Sequence, residues 1–194
     1  MEQSNDEQKF NRGKLLNVGF KLAEQDGCEV FIFHDVDLIP STELLSWYTT
    51  IPFQPAHIAR VWNRYSGNPS YFGGVVSFSK SQYESINGFP NNFWGWGGED
   101  DEMYKRVKVL KYKPIFPEEG EGRCYIDLEC NTLEDKLAFL KGKSDLKCMN
   151  KRELLSEDEH NKWKENGLSD LEYKVVSKTV GVKSTNAFKI TVAI

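Results

Sequence analysis

The stretch "CEVFIFHDVDLIP", residues 28–40, joins a short apolar segment to two carboxylates. Its centre, residues 30–33, is a run of β-branched and aromatic residues, which is typical of a strand buried on both faces of a parallel sheet. The preceding segment, residues 11–27, places leucines and Phe20 near helical spacing and ends at a glycine. A helix that leads into a buried strand indicates an α/β architecture.

The strand is followed by Asp35-Val36-Asp37. In an extended backbone, residues i and i+2 point to the same side, so we expect the two carboxylates to lie side by side. Ligands of open α/β sheets bind beyond the carboxyl ends of strands. Two like charges repel unless a cation joins them, and carboxylate oxygens suit Mg²⁺ or Mn²⁺. The alternative is an ordinary solvated turn.

The remainder of the chain predicts an α/β sandwich with a mostly parallel sheet and an antiparallel edge. We expect helices over residues 41–51, from residue 81, and through residues 101–112. We expect strands at 57–62, 73–79, within 114–129, and as a half-buried antiparallel pair at 171–181 and 187–194.

A second unusual stretch, "FWGWGGEDDE", spans residues 93–102. Its glycines allow a tight loop or a close approach of backbone to ligand. Trp94 and Trp96 offer flat apolar faces for a sugar ring, and the carboxylates can accept hydrogen bonds from hydroxyls or act as a general base. The alternative places both tryptophans in the core and the acids in the first turn of a helix, where the macrodipole favours them.

The two acidic stretches together suggest a reaction. A diphosphate leaving group needs its charge neutralised as it departs, for which a metal ion is suited. A carboxylate base must face the hydroxyl of an acceptor. These requirements describe glycosyl transfer from a nucleotide sugar.

Length and composition limit the other possibilities. The 194 residues suffice for one domain, 1–194, with a polar lead at 1–9 and a charged region at 131–167 that reads as helices or a mobile loop. A formal charge of −4 and a pI of about 5.5 provide no broad basic surface for nucleic acid. No apolar run approaches the roughly 18 to 20 residues that span a bilayer. The four cysteines suit free thiols better than a disulfide scaffold or a zinc site.

Four segments in this order closely resemble the β-1,4-galactosyltransferase family: "FNRGKLLNVGF", "FIFHDVDLIP", "YFGGVVSFSKSQYESINGFPNNFWGWGGEDDEMYKR" and "GLSDLEYKVVSKT". The resemblance implies a GT-A-like fold. It also implies an inverting, Mn²⁺-dependent transfer of galactose from UDP-galactose to a hydroxyl of a saccharide or glycoconjugate acceptor. By resemblance the compartment is the Golgi lumen, although the absence of a signal or anchor in this sequence leaves a soluble, cytoplasmic protein as the alternative.

The resemblance also assigns individual residues. Asp100 matches the catalytic base, and Asp37 matches a Mn²⁺ ligand. Tyr71 matches a residue beside the sugar that favours galactose. The expected donor contacts are Phe10, Asn11, Arg12, Val36, Asp37 and Trp96, and the expected acceptor contacts are Tyr71, Gly98, Glu99, Asp100 and Asp101.

Two features depart from the family pattern. Glu129 stands where the family has a histidine metal ligand, and Ile126 stands where many members have a methionine ligand. Glu129 could bind Mn²⁺ through oxygen, or the metal site could be lost. The family's first strand and helix would precede residue 10, so we expect a fold shortened at its N-terminus. The alternative function is therefore a non-catalytic carbohydrate-binding remnant or fragment of such an enzyme.

Overall fold

The computed structural model describes residues 1–5, 7–65, 68–118, 120, 124–130, 132–180 and 187–194. Short 3₁₀ helices lie at Thr42–Leu44, Ile58–Val61 and Trp163–Glu165. The strands and α-helices follow in the order β1 (Glu2–Gln3), α1 (Arg12–Gln25), β2 (Val30–His34), β3 (Leu38–Pro40), α2 (Leu45–Thr49), β4 (Ala56–His57), β5 (Val75–Ser79), α3 (Lys80–Ser85), α4 (Glu99–Val109), β6 (Tyr125–Asp127), α5 (Leu133–Leu140), α6 (Lys151–Leu154), α7 (Glu157–His160), β7 (Lys174–Val180) and β8 (Phe188–Ala193).

The described strands form three small sheets. In the first, β5 lies between β2 and β4 and pairs antiparallel with both, with Val30 opposite Ser79 and His34 opposite Val75. In the second, β3 pairs antiparallel with β6. In the third, β8 pairs in parallel with β1 and antiparallel with β7.

The expectation of a mostly parallel sheet is therefore wrong for the described strands, because only the β1–β8 pair is parallel. The apolar run in β2 correctly signalled packing on both faces. Phe31 and Phe33 are buried in one apolar cluster, while Ile32 packs against another. Burial on both faces does not determine strand direction, and here an antiparallel neighbour produces the same pattern.

The core is rich in aromatic side chains. Phe20 of α1 packs against Phe31 with ring centroids 4.4 Å apart, and Phe33 stacks on Tyr83 at the same separation. Complete burial of one such side chain contributes about 1.5–3 kcal/mol to folding. These contacts fasten α1 and α3 to one face of β2 and β5, so the start of α1 has a fixed position beside the end of β2.

Several predicted elements are confirmed. Helix α1 occupies the predicted segment, and β5 with α3 matches the predicted strand and short helix. The segment 41–51 is helical, as a 3₁₀ turn followed by α2. Helix α4 covers most of 101–112 and begins two residues earlier, at Glu99.

Other elements differ from the prediction. Residues 57–62 are mainly a 3₁₀ helix, because the backbone turns after the two-residue strand β4. Within 114–129 the described strand is limited to β6. The final antiparallel pair exists, but every residue of β7 is exposed, so the pair is less buried than its alternation suggested. The predictions over 114–129 and 171–181 extend in part beyond the described residues.

The region 131–167 contains α5, α6 and α7, in agreement with its helical interpretation. All four cysteines are free thiols, as expected from their spacing. In the part of the chain that is described, every helix is too short or too polar to cross a bilayer.

Candidate functional site

Arg12 is the first residue of α1, and its position depends on Asn11. The Asn11 side-chain oxygen accepts a hydrogen bond from the Lys14 amide at 2.9 Å and caps the helix. The Asn11 side-chain amide donates to the Asn91 carbonyl at 2.8 Å. Asn11 is completely buried, so its side chain holds α1 in place. The predicted contact of Asn11 with the sugar donor stays a prediction.

The Arg12 guanidinium joins the two acidic stretches. Its Nε and Nη2 contact Asp35 Oδ1 at 2.8 and 2.7 Å, and its Nη1 contacts Asp100 Oδ1 at 3.0 Å. A Glu99 oxygen lies 3.8 Å from the same Nη1. The end of β2 and the start of α4 therefore meet at one cation, which we call the Arg12 cluster (Arg12, Asp35, Glu99 and Asp100).

The extended geometry expected for Asp35-Val36-Asp37 is wrong. The Leu38 amide donates to the Asp35 carbonyl at 3.2 Å, and the backbone turns between β2 and β3. The Asp35 side chain consequently binds Arg12, while Asp37 lies near the acids of β6 and the residues after it. Val36, at the tip of the turn, is 98% exposed and is accessible to a ligand.

In the tryptophan loop, residues 93–98, Phe93 is buried in the core, whereas Trp94 and Trp96 lie outside it. Trp94 is partly buried beneath the Lys14 ammonium, and Trp96 is 37% exposed. The Trp96 amide donates to the Leu146 carbonyl at 2.7 Å, and the Cys148 amide donates to the Trp96 carbonyl at 3.1 Å. The prediction that the tryptophans offer accessible aromatic surface therefore holds for Trp96.

Gly98 ends this loop and precedes the first turn of α4. Its φ of +108° lies in the left-handed region, and a Cβ there would come within 2.5 Å of the Phe93 ring. Only glycine allows the chain to turn here without displacing Phe93. The turn directs Glu99 and Asp100 toward Arg12, whereas Asp101 faces outward and pairs with Lys151 at 3.1 Å.

Asp100 lies in a confined space. A Cβ on Gly73 would overlap its carboxylate, and Tyr71 borders the same space. Burial raises the pKa of Asp100 well above its ordinary value. The Arg12 guanidinium opposes this shift, and Glu99 and Asp35 add to it. A carboxylate with a raised pKa is a stronger base, provided that it is ionised.

Tyr71 and Glu99 complete the surroundings of Asp100. Tyr71 stacks on Tyr65 with ring centroids 4.0 Å apart, and burial raises its pKa, with Asp100 adding to the shift. Burial also raises the pKa of Glu99. Glu99 Oε2 is buried and accepts no hydrogen bond from any described residue, which is an unusual state for a buried carboxylate oxygen.

Phe10, predicted to contact the donor, is 58% exposed. Its carbonyl accepts a hydrogen bond from the Gly95 amide at 2.8 Å, which ties it to the tryptophan loop. An apolar surface cavity of about 320 Å³ lies elsewhere, beside Trp47 and Ile51, and shares no residue with the Arg12 cluster.

The two predicted metal ligands belong to a second group of acids near the turn. Burial raises the pKa of Asp37, and Asp35, Asp127 and Glu129 add to the shift, so these carboxylates lie within electrostatic range of one another. Asp127 forms a buried ion pair with Arg64, and Glu129 forms an ion pair with Lys136. In the described ranges, no three side chains of ligand type are placed to hold a metal ion together.

Sequence reasoning missed Arg64, Asp127 and Lys136. Asp127 occupies the β-strand position two residues before Glu129, and this i, i+2 spacing could have drawn attention to it. Neither Arg64 nor Lys136 lies in a motif. The pairing of Arg12 with Asp35 and Asp100 was also unforeseen, because the three residues are far apart in the chain.

Two family models match the chain. One, described as the N-terminal region of glycosyl transferase group 7, matches residues 1–49, and the other, described as the N-terminal domain of galactosyltransferase, matches residues 54–126. The chain is 38% identical over 176 residues to beta-1,4-galactosyltransferase 4 of Rattus norvegicus, covering 87% of this chain and 46% of the relative. It is 45% identical over 122 residues to beta-1,4-galactosyltransferase 1 of Bos taurus, covering 61% of this chain and 30% of the relative. The chain thus spans less than half the length of these relatives.

Two solved structures of galactosyltransferase catalytic domains have a fold similar to that of this chain. The catalytic domain of Drosophila beta1,4galactosyltransferase 7 in complex with xylobiose matches with a TM-score of 0.74 and 24% identity, covering 98% of this chain and 76% of that chain. A mutant of that protein in complex with manganese, UDP-Gal and xylobiose matches with a TM-score of 0.75 at the same identity and coverage.

Proposed function

The chain belongs to the β-1,4-galactosyltransferase family, and we propose that it transfers galactose from UDP-galactose to a hydroxyl of a saccharide acceptor. Its fold is that of the GT-A-like galactosyltransferase catalytic domains. We propose that residues 1–194 act as one domain in this reaction. From the family resemblance we also propose that the protein acts in the Golgi lumen.

The single observation that carries the proposal is the Arg12 cluster. One guanidinium contacts Asp35 at the end of β2 and Asp100 at the start of α4. The segment that resembles a donor site and the segment that resembles an acceptor site therefore meet at one guanidinium. A sugar bound between them could reach both, as transfer from donor to acceptor requires.

We propose Asp100 as the general base. Its carboxylate would take the proton of the acceptor hydroxyl while that oxygen attacks the anomeric carbon from the face opposite the diphosphate. The bond from the anomeric carbon to the diphosphate oxygen breaks as the new glycosidic bond forms, and the configuration inverts. The raised pKa of Asp100 supports this role, because it favours proton transfer from a hydroxyl.

The roles of the remaining predicted residues are proposed from the family resemblance, and Trp96, Phe10 and Val36 are the exposed ones among them. For the acceptor we propose Glu99, whose buried Oε2 has no hydrogen-bond partner among the described residues, and Trp96, which offers an exposed aromatic face. We propose Tyr71, Gly98 and Asp101 as the other acceptor-side residues. For the donor we propose the accessible residues Phe10, Val36 and Trp96, together with Arg12, Asn11 and Asp37.

The predicted Mn²⁺ site requires carboxylate oxygens near the turn after β2 that are free to bind a cation. Of the four carboxylates near the turn, Asp35 is bound by Arg12, Asp127 by Arg64 and Glu129 by Lys136. These ion pairs hold one oxygen of each of the three carboxylates and neutralise their charge, and in the described ranges no three candidate ligands are placed together, so the arrangement as it stands does not fit a bound Mn²⁺. Asp37 and Glu129 as metal ligands stay a prediction, and no step of the proposed reaction depends on them.

The test is release of UDP from UDP-galactose with GlcNAc, glucose or xylose as acceptor, with and without Mn²⁺. Asp100→Asn should lower kcat by about 10²- to 10⁴-fold, because it removes the general base. Asp158→Asn, an exposed acid of α7, is the matched control and should leave kcat unchanged.

Equal turnover by Asp100→Asn and the unsubstituted chain would reject the assigned base. If the unsubstituted chain gives no turnover, calorimetry with each acceptor and with UDP decides between the remaining possibilities. Acceptor binding without UDP binding would favour the non-catalytic carbohydrate-binding protein over a transferase.

A further inference from the structure

Lys136 lies in the middle of helix α5, whose first turn is fixed by Thr132. The Thr132 hydroxyl oxygen accepts a hydrogen bond from the Asp135 amide at 3.1 Å and caps the helix. This orientation turns Lys136 inward, where it is 8% exposed. Its ammonium donates a hydrogen bond to Glu129 Oε2.

A buried ammonium requires a counter-ion. Transfer of a charge away from water costs several kcal/mol unless an opposite charge and hydrogen bonds offset it. Beside Lys136 lies the apolar ring of Phe139, with its centroid 5.6 Å from the ammonium. Within the described part of the chain, Glu129 is the one carboxylate that pairs with Lys136. The Glu129 side chain is 38% exposed, so an ion from solvent can reach this carboxylate.

We propose that Lys136 and a divalent cation compete for Glu129, so that the Lys136 ammonium takes the position of the metal charge and weakens Mn²⁺ binding at Asp37 and Glu129. This inference rests on the proposed function for the identity of the two ligands. It concerns the affinity of the metal ion alone and requires no sugar transfer.

The surrounding ion pairs strengthen the argument. Asp35 and Asp127, the other acids beside Asp37, are bound by Arg12 and Arg64. Both oxygens of Asp127 are engaged, since Oδ2 faces Arg64 and Oδ1 accepts the Glu129 and Cys130 amides at 2.9 Å. Asp127 therefore offers no free carboxylate oxygen, and a cation bound to Asp37 would draw its further side-chain ligands from Glu129 and from Asp35, whose Oδ1 is held by Arg12.

Lys136 has a possible opposite role, in which it strengthens metal binding and its replacement lowers the affinity for Mn²⁺. Metal-binding carboxylates are often oriented by hydrogen bonds from neighbouring residues, and loss of such a partner weakens metal affinity 10- to 100-fold. Lys136 could orient Glu129 and leave Oε1 for the metal. The positive charge of an ammonium beside a divalent cation argues against this, because like charges repel strongly at short range.

The experiment measures Mn²⁺ binding without nucleotide or sugar, by the decrease of the free Mn²⁺ signal in electron paramagnetic resonance. The variants are Lys136→Met, Glu129→Gln and the double substitution. Lys141→Met, an exposed lysine at the end of α5, is the matched control for loss of one positive charge. Circular dichroism verifies that each variant keeps its helical content.

Lys136→Met should bind Mn²⁺ at least about tenfold more tightly than the unsubstituted chain, a change at the lower end of the range known for residues beside metal ligands. Lys141→Met should bind as the unsubstituted chain does. The double variant should lose the gain, because the coupling acts through Glu129.

Three results would overturn the proposal: unchanged, weaker or undetectable Mn²⁺ binding by Lys136→Met; an equal gain in Lys141→Met; or a gain that persists in the double variant. None of these results depends on turnover. An inactive chain with the expected metal affinities would reject the proposed function and leave this inference intact.

Discussion

Replacement of Arg12 by methionine tests whether one cation holds the two acidic stretches together. Methionine keeps an apolar stem of similar length that can pack near Phe89, whose ring centroid lies 5.6 Å from the guanidinium carbon. The substitution leaves Asp35, Glu99 and Asp100 close together without their shared cation.

The size of the effect follows from the burial of the pair. Breaking a fully buried ion pair by removal of one partner costs about 3–5 kcal/mol. The side chains of Arg12, Asp35 and Asp100 are 18, 26 and 21% exposed, so solvent screens part of the repulsion. We expect a loss of about 2–3 kcal/mol in the free energy of unfolding, which lowers Tm by about 4–12 °C in a chain of this length.

The dependence of this stability loss on pH provides a second, independent test of the ion pairs of Arg12. In the folded protein, burial raises the pKa of Asp100 and of Glu99, and Arg12 opposes both shifts. An acid with a raised folded-state pKa contributes stability that is present below its unfolded pKa, about 4, and is lost as the pH rises through the folded pKa. Without Arg12 the shifts grow, so the loss of stability should be larger at pH 8 than at pH 5.

The assay is thermal and urea unfolding followed by circular dichroism at both pH values. Arg152→Met removes an exposed arginine of α6 and should change stability by less than about 0.5 kcal/mol. Adding Asp100→Asn to Arg12→Met should restore part of the loss, because it removes one of the repelling charges. A loss equal to that of Arg152→Met, or one that does not vary with pH and with Asp100→Asn, would refute the reasoning.

Two further predictions concern Gly73, which packs against Asp100, and His57, whose ring lies 3.0 Å from the Gly73 carbonyl. Gly73→Ala should lower the free energy of unfolding by about 2–3 kcal/mol in urea titrations, because its Cβ would collide with Asp100 and approach Tyr71 to 2.9 Å. Gly142→Ala, which has open space but a φ of +77°, should cost about 1 kcal/mol of backbone strain, and an equal loss in both variants would contradict the steric argument. Burial lowers the pKa of His57 to about 3 from an ordinary value of 6.5, so its imidazole NMR signals should not titrate between pH 5 and 8. Because the unfolded chain takes up this proton first, the His57 contribution to stability should fall as the pH drops below about 6.5, and a midpoint near pH 6 in the NMR titration would contradict the shift.

The helices were predictable because their signals are local. Asn11 caps α1 through a hydrogen bond that spans three residues, and Ser79 with Gln82 forms a capping box at α3 over the same distance. The short loop from Trp94 to Gly98 was likewise readable, since the glycines and acids of a helix start are consecutive in the sequence. Such features depend on chemistry within one or two turns of the chain.

Strand pairing and ion pairing were not predictable from local patterns. The direction of β5 beside β2 depends on the path of the 40 residues between them, which no periodicity encodes. Arg64 reaches Asp127 across 63 positions, and Arg12 reaches Asp100 across 88. Each pair forms only because packed elements bring the two residues together, and the sequence around one charged residue does not identify its distant partner.

The predicted metal site depends both on local residue types, which the sequence shows, and on ion pairs between distant residues, which it does not show. Resemblance and ligand chemistry predict Glu129 as an oxygen ligand for Mn²⁺. They do not predict that Glu129 Oε2 accepts a hydrogen bond from the Lys136 ammonium. Lys136 lies seven residues later, on a helix that Thr132 caps. Ligand type alone is therefore insufficient evidence for a metal site, because the affinity of a carboxylate for a metal depends on which cation already holds it. In this protein the acids around Asp37 are matched largely by the chain's own arginines and lysine, and any incoming cation must compete with those pairs.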